Sequence, residues 1–191
     1  MDWLAFFSSA ISTLAWPAAL IILFFIIRKE LPKIAGSLRK VKYKDVELEF
    51  GSAIKAIAED VKDSVPPTKS KNIAGKPTDE IKSSLEAVAD ISPRAAILEA
   101  WIQVEAAAAD VINKKGLGGK ARYVGPARLR DYLQKENILN SKQVHIFEKL
   151  RYLRNEAVHV HDAEFTQAAV ASYIESAVLI ASYLEELAND L

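Results

Sequence analysis

Between Asp2 and Arg28 the chain carries twenty-five residues, Trp3–Ile27, without a single charge. As a helix this run is about 37 Å long at the usual rise per residue. That exceeds the roughly 30 Å thickness of a bilayer's hydrocarbon core. Ser8, Ser9, Ser12 and Thr13 can bond back to helix carbonyls, and a kink at Pro17 is tolerable inside a membrane. Trp3 stands where an interfacial aromatic belongs. A cleaved export signal carries positive charge before its apolar run and a small-residue cleavage site after it. Here Asp2 comes before, and Arg28, Lys29 and Lys33 come after. The run is therefore read as an uncleaved anchor over residues 1–28, with the lipid bilayer as partner. The distribution of Lys and Arg places the N-terminus outside and all that follows on the cytosolic side of the cytoplasmic (inner) membrane, crossed once.

Charge is segregated along the rest of the chain. The 25 basic and 25 acidic residues cancel overall. Residues 28–44 nevertheless hold a balance of +6, residues 45–113 one of −6, and residues 114–154 one of +8. Residues 155–191 carry seven acids and no Lys or Arg. Topology and lipid headgroups account for the first basic block. The second is left for another partner. Cysteine is absent, which excludes disulfides, Cys-ligated zinc, iron–sulfur centres and cysteine nucleophiles. With only His145, His159 and His161, a histidine-rich metal site is not expected, and no cofactor is expected.

Residues 29–77 read as a basic juxtamembrane segment, a stalk and a linker. Val46, Leu48 and Phe50 alternate with Glu47 and Glu49, which predicts a short strand or extended arm over 45–50, ended by Gly51. Such a strand either pairs between protomers or forms part of an ordered stalk without chemistry. Ile54, Ile57, Ala58 and Val61 then fall at helical spacing through about Val65, before Pro66-Pro67. Thr68–Pro77 is polar, with Gly75 and Pro77, and reads as a flexible linker.

Residues 78–191 read as an all-α domain. Thr78 and Asp79 are placed to cap a helix over 80–90, and Ser92-Pro93 to open another that runs to about Lys115. Ile97, Trp101, Val104 and Ala108 share a face of the latter. Lys114–Gly125 is a basic, glycine-rich loop. Gly119-Lys120 within it is no phosphate loop, since Lys114 and Ala121 stand where that motif needs glycine and Ser/Thr. Pro126 opens a helix to about Asn137 with Leu129 and Leu133 inward. Ser141 is placed to cap the next, striped by Val144, Phe147, Leu150 and Leu153. Phe165–Leu187 supplies the last, with Val170, Ile174, Leu179 and Leu184. The sum is a four-helix bundle.

One constellation in this domain carries chemistry. Arg151, Asn155 and His159 are spaced i, i+4, i+8 and line one helix face. Arg154 and His159 are five apart, about 140° around a regular helix. They meet at one phosphate only where the helix frays near His159, or where two subunits contribute side chains. Arg154-Asn155-Glu156-Ala157-Val158-His159 resembles the Arg-x4–6-His signature of HEPN domains, including the polar residue directly after the arginine. The helix opening Ser92-Pro93-Arg94-Ala95-Ala96-Ile97-Leu98-Glu99-Ala100-Trp101 resembles the first helix of bacterial HEPN-like domains. The resemblance covers about residues 90–188 and leaves out the anchor and stalk.

Many HEPN domains are metal-independent ribonucleases that work as dimers, so the resemblance implies a homodimer or higher homo-oligomer with both motifs at one cleft. His159 would be the general acid/base, Arg154 would hold the phosphate, and Asn155 would orient the group. The residue types suit that chemistry, because histidine titrates near neutrality and a cation stabilises the phosphate. Lys114, Lys115, Lys120, Arg122, Arg128, Arg130 and Arg151 could hold an RNA backbone. A membrane-tethered ribonuclease of this kind would act as a toxin or defence effector restrained by a regulatory or antitoxin protein. The other reading kept open is a non-catalytic HEPN-like adaptor or dimerisation module that binds a protein or nucleic-acid partner at the membrane. In it, Arg154 and His159 would point into separate salt bridges.

Overall fold

The computed structural model describes residues 3–68, 72–116, 126–159 and 165–191. They are mostly helical, in two compact units, Met1–Lys44 and Asp45–Leu191. Helix α1, Trp3–Ser64, contributes to both. In the first unit, Trp3, Trp16, Leu20, Ile21, Ile22, Leu23, Phe24 and Phe25 are exposed. Thr13 Oγ1 donates to the Ser9 carbonyl at 2.8 Å, the back-bond expected of a hydroxyl in an apolar helix.

The second unit begins well before the boundary expected at residue 78. Residues 45–50 are helical rather than extended, as part of α1. The alternation of Val46, Leu48 and Phe50 competes with a longer pattern, in which Phe50, Ile54, Ile57 and Val61 repeat at helical spacing. Those four are buried, with Phe50 at 2 % exposure. Burial of a whole helical stripe outweighs a three-residue alternation. Gly51 does not end an element; it lies within the helix, and a Cβ there would meet nothing within 4 Å.

Residues 72–77 correct the expected flexible linker. Asn72–Ile73 (β1) and Lys76–Pro77 (β2) pair antiparallel around Ala74 and Gly75, whose φ values of 49° and 77° make a turn of the primed kind. Ile73 is buried, and the Ala74 N–H donates to Glu185 Oε1 at 2.9 Å. The hairpin leads directly into α2, Thr78–Ile91, whose N-cap position is Pro77 without a side-chain cap bond, in place of the cap expected from Thr78 and Asp79.

Ser92 closes α2 and opens α3, Pro93–Lys114. Its N–H donates to Val88 O at 2.8 Å, and its Oγ accepts from Ala95 N at 3.3 Å. Proline follows at the first helical position, as expected. Helix α4 is Pro126–Lys135, with Leu129 and Leu133 buried. Helix α5 is Ser141–His159. Its cap is Asn140, one residue before the expected Ser141: Asn140 Oδ1 accepts from the N–H groups of Lys142 and Gln143 at 3.0 Å each. Gln143, 3 % exposed, returns the bond by accepting from Asn140 N, and its Nε2 donates to Ser64 O at the end of α1. One buried amide thus joins two helix ends.

Helix α6, Gln167–Asn189, is capped by Thr166, whose Oγ1 accepts from Ala169 N. It packs along α3 at the centre of the unit; α2 lies against both, and α5 also touches both, while α4 lies against α3 and α5. More elements share this core than a four-helix bundle has, because the end of α1, α2 and the hairpin all bury side chains in it. Among the described residues α6 is the helix long and apolar enough to cross a membrane, yet 61 % of that stretch is buried in the unit. It is a core helix. In α1 the described apolar stretch, Ala15–Phe25, is shorter.

Candidate functional site

The residues around Arg154 take their positions from the way α5 is seated. Ile146, Phe147, Leu150, Leu153 and Ala157 are buried, and they define the inward side of the helix. Arg154 falls at the edge of that side and is half-buried. Its Nη1 donates to Asn155 Oδ1 at 3.0 Å. Arginine has no acceptor, so this bond fixes the Asn155 amide with its NH2 group turned away and free to donate elsewhere. Arg154 Nε is buried and has no hydrogen-bond partner among the described residues. Among the described residues no carboxylate lies within ion-pair distance of Arg154.

Directly beneath lies Tyr173 of α6, fully buried, whose hydroxyl donates to the Leu150 carbonyl at 3.0 Å. Burial pushes its phenol well above the ordinary tyrosine value; the Arg154 cation works against that rise and the Glu105 carboxylate adds to it. Charges from α3 and α5 therefore both reach a hydroxyl on α6. On the outer side of α5, Tyr152 is exposed, and its phenol is raised chiefly by Glu156, with smaller parts from burial and from Glu49 of α1.

His159 is the last residue of α5 and is exposed. Helix α5 runs to His159, so its side chain and that of Arg154 keep their helical spacing. Arg154 and His159 remain about 140° apart around the helix axis. Asn155 and the half-buried Arg151 do share a face with His159. A single chain therefore brings Asn155 within reach of Arg154 and onto the face of His159, while Arg154 and His159 point different ways.

Besides Arg151, the basic residues expected to hold RNA separate into three groups. Lys114 pairs with Asp110 Oδ2 at 2.9 Å and donates to Asn189 Oδ1 at 3.3 Å. Arg130 meets Glu148 Oε1 at 2.7 Å and Asp131 Oδ1 at 3.1 Å, and the Asp131 hydrogen bond is the main cause that holds its pKa raised. Both are already engaged within the chain. Lys115 and Arg128 are exposed. Lys120 and Arg122, with most of the glycine-rich loop, lie outside the described residues, as does His161.

Sequence reasoning did not single out Tyr173 or Glu105. A buried tyrosine in an alanine-rich stripe reads as core, and nothing in the spacing of α6 marks its hydroxyl as bonded to α5. Among the described residues no three His, Asp or Glu side chains converge as a metal site would require. Comparison with protein-family models, with curated proteins and with solved structures finds no match for this chain.

Proposed function

We propose that this protein is a membrane-anchored, HEPN-type, metal-independent endoribonuclease whose site is completed by two copies of the chain. One observation carries the reading: on α5 a half-buried arginine, without a carboxylate partner among the described residues, orients the asparagine beside it, and an exposed histidine ends the same helix. An arginine with no acid beside it among the described residues is available to an external anion. Five N–H donors in a planar fork suit a phosphate. In the proposed reaction the RNA 2′-hydroxyl attacks the neighbouring phosphorus and the 5′-oxygen leaves, which yields a 2′,3′-cyclic phosphate and a 5′-hydroxyl. His159 moves the proton, Arg154 balances charge on the phosphoryl oxygens, and Asn155 donates its free amide hydrogen to one of them. Because Arg154 and His159 of one chain face different ways, His159 comes from the partner copy. Lys115 and Arg128 supply backbone contacts.

The anchor belongs to the same proposal. The uncharged run Trp3–Ile27 with its exposed Trp, Leu, Ile and Phe side chains supports a span, and the Lys/Arg cluster after Arg28 supports a cytosolic domain. A tethered nuclease of this kind fits a toxin or defence effector held in check by a regulatory protein. The different facings of Arg154 and His159 also favour a second reading, a non-catalytic adaptor in which α5 only docks a partner.

RNA integrity separates the two. Cells expressing the full chain are compared with Arg154→Ala and His159→Ala at matched protein levels. Fragmentation by wild type alone, with 2′,3′-cyclic phosphate ends and at least a hundredfold less cutting by either variant, is expected for loss of a general acid/base or a charge-stabilising group. Intact RNA in all three leaves the adaptor.

A further inference from the structure

The Tyr173 hydroxyl and the backbone of Arg154 converge on one atom. In α5 the Leu150 carbonyl is the acceptor for the Arg154 N–H, four residues on. A carbonyl oxygen has a second lone pair, and Tyr173 donates to that same oxygen at 3.0 Å. The Tyr173 ring has little freedom, since it is fully buried and stacks on Phe50 at 6.2 Å between centroids, with Phe50 in turn 4.8 Å from Phe165. The turn of α5 from which Arg154 projects is thus tied to α6 as well as to its own helix. Beyond that turn the guanidinium has, among the described residues, a single bond, to Asn155, and a buried Nε with no acceptor. Among the described residues its other donors have no partner.

We infer that Tyr173 is a positioning residue: its hydroxyl pins the Leu150–Arg154 turn and holds the Arg154 guanidinium in line for a phosphate oxygen. The inference rests on the reading of Arg154 as the phosphate-holding group. Tyr173 itself, buried beneath, touches no substrate. Substitution by phenylalanine keeps the ring and its stacking and removes only the tie.

The test uses the full chain in detergent micelles with 15N-labelled arginine, the Arg154 Nε–H signal identified by its loss in Arg154→Lys, and inorganic phosphate as the probe. Tyr173→Phe is expected to leave the helical circular dichroism unchanged. It should also speed exchange of the Arg154 Nε–H and weaken the phosphate-induced shift, each about tenfold, the scale of one hydrogen bond. Ser176→Ala is the control, because Ser176 is also buried on α6 and its hydroxyl donates to Ser172 O within its own helix. It should change neither quantity. The inference is overturned if Tyr173→Phe matches wild type, if Ser176→Ala matches Tyr173→Phe, or if phosphate leaves the wild-type Arg154 signal unmoved. RNA cleavage is measured beside it, where Tyr173→Phe should lower kcat/KM. A wild type that cuts no RNA ends the nuclease reading, while the Arg154 signals still decide the role of Tyr173.

Discussion

At the scale of residues, Tyr173 and Arg154 show how a buried hydroxyl and a half-buried cation constrain each other. The phenol loses hydration on folding, so its ionised form is disfavoured in the native state and only partly rescued by the arginine. The sign of the resulting pH dependence follows. The folded pKa lies above the unfolded value near 10, so the stability tied to this group is complete below pH 10 and is lost as pH rises beyond it. Above that point Tyr173 should remove about 1.4 kcal/mol of unfolding free energy per pH unit, since the unfolded chain releases a proton that the native one keeps. Chemical denaturation at several alkaline pH values should show that slope in the wild type and a shallower one in Tyr173→Phe. Equal slopes would mean that the hydroxyl is hydrated.

At the scale of elements, the hairpin of residues 72–77 is a small piece with a strained centre. Ala74 occupies φ 49°, where a Cβ is disfavoured, while Gly75 at φ 77° has none to strain. Asn-Gly is the pairing this turn prefers. Ala74 is exposed, so Ala74→Asn should raise stability by about 1 kcal/mol, and Gly75→Ala should lower it by a similar amount. Thermal melts of the two variants beside wild type check both signs; a null result in each would show that the turn contributes nothing to the folded unit. The hairpin was legible in the sequence only as Gly75 and Pro77 punctuation. What orders it is the burial of Ile73 and the bond from Ala74 N to Glu185, more than a hundred residues away, and no local pattern encodes either.

At the scale of the whole molecule, the compact unit begins at Asp45. A chain started at Thr78 would lack Phe50, Ile54, Ile57, Val61 and Ile73, all buried. Five apolar side chains at their usual worth come to on the order of 10 kcal/mol, comparable with the entire stability of a typical domain. Residues 45–191 should therefore express as a soluble, cooperatively unfolding protein, and residues 78–191 should aggregate or stay unfolded. Sedimentation and circular dichroism of the two pieces check this directly. A well-folded 78–191 piece would return α1 to the role of a stalk.

Legible in the residues alone were the uncharged N-terminal run, the helical class, several helix limits within a few residues, the Ser92-Pro93 junction and the inward stripes of α3, α4 and α5 with most of that of α6. These follow from local rules, in which periodicity, capping and proline act over one or two turns. The sequence also carried Arg154, Asn155 and His159 as a spacing. Tertiary structure decided which of two competing periodicities wins at residues 45–50, that residues 72–77 are ordered, and that Arg154 lies above a buried tyrosine while His159 faces elsewhere. Each of those depends on what a distant segment buries, and burial is a property of the packed chain.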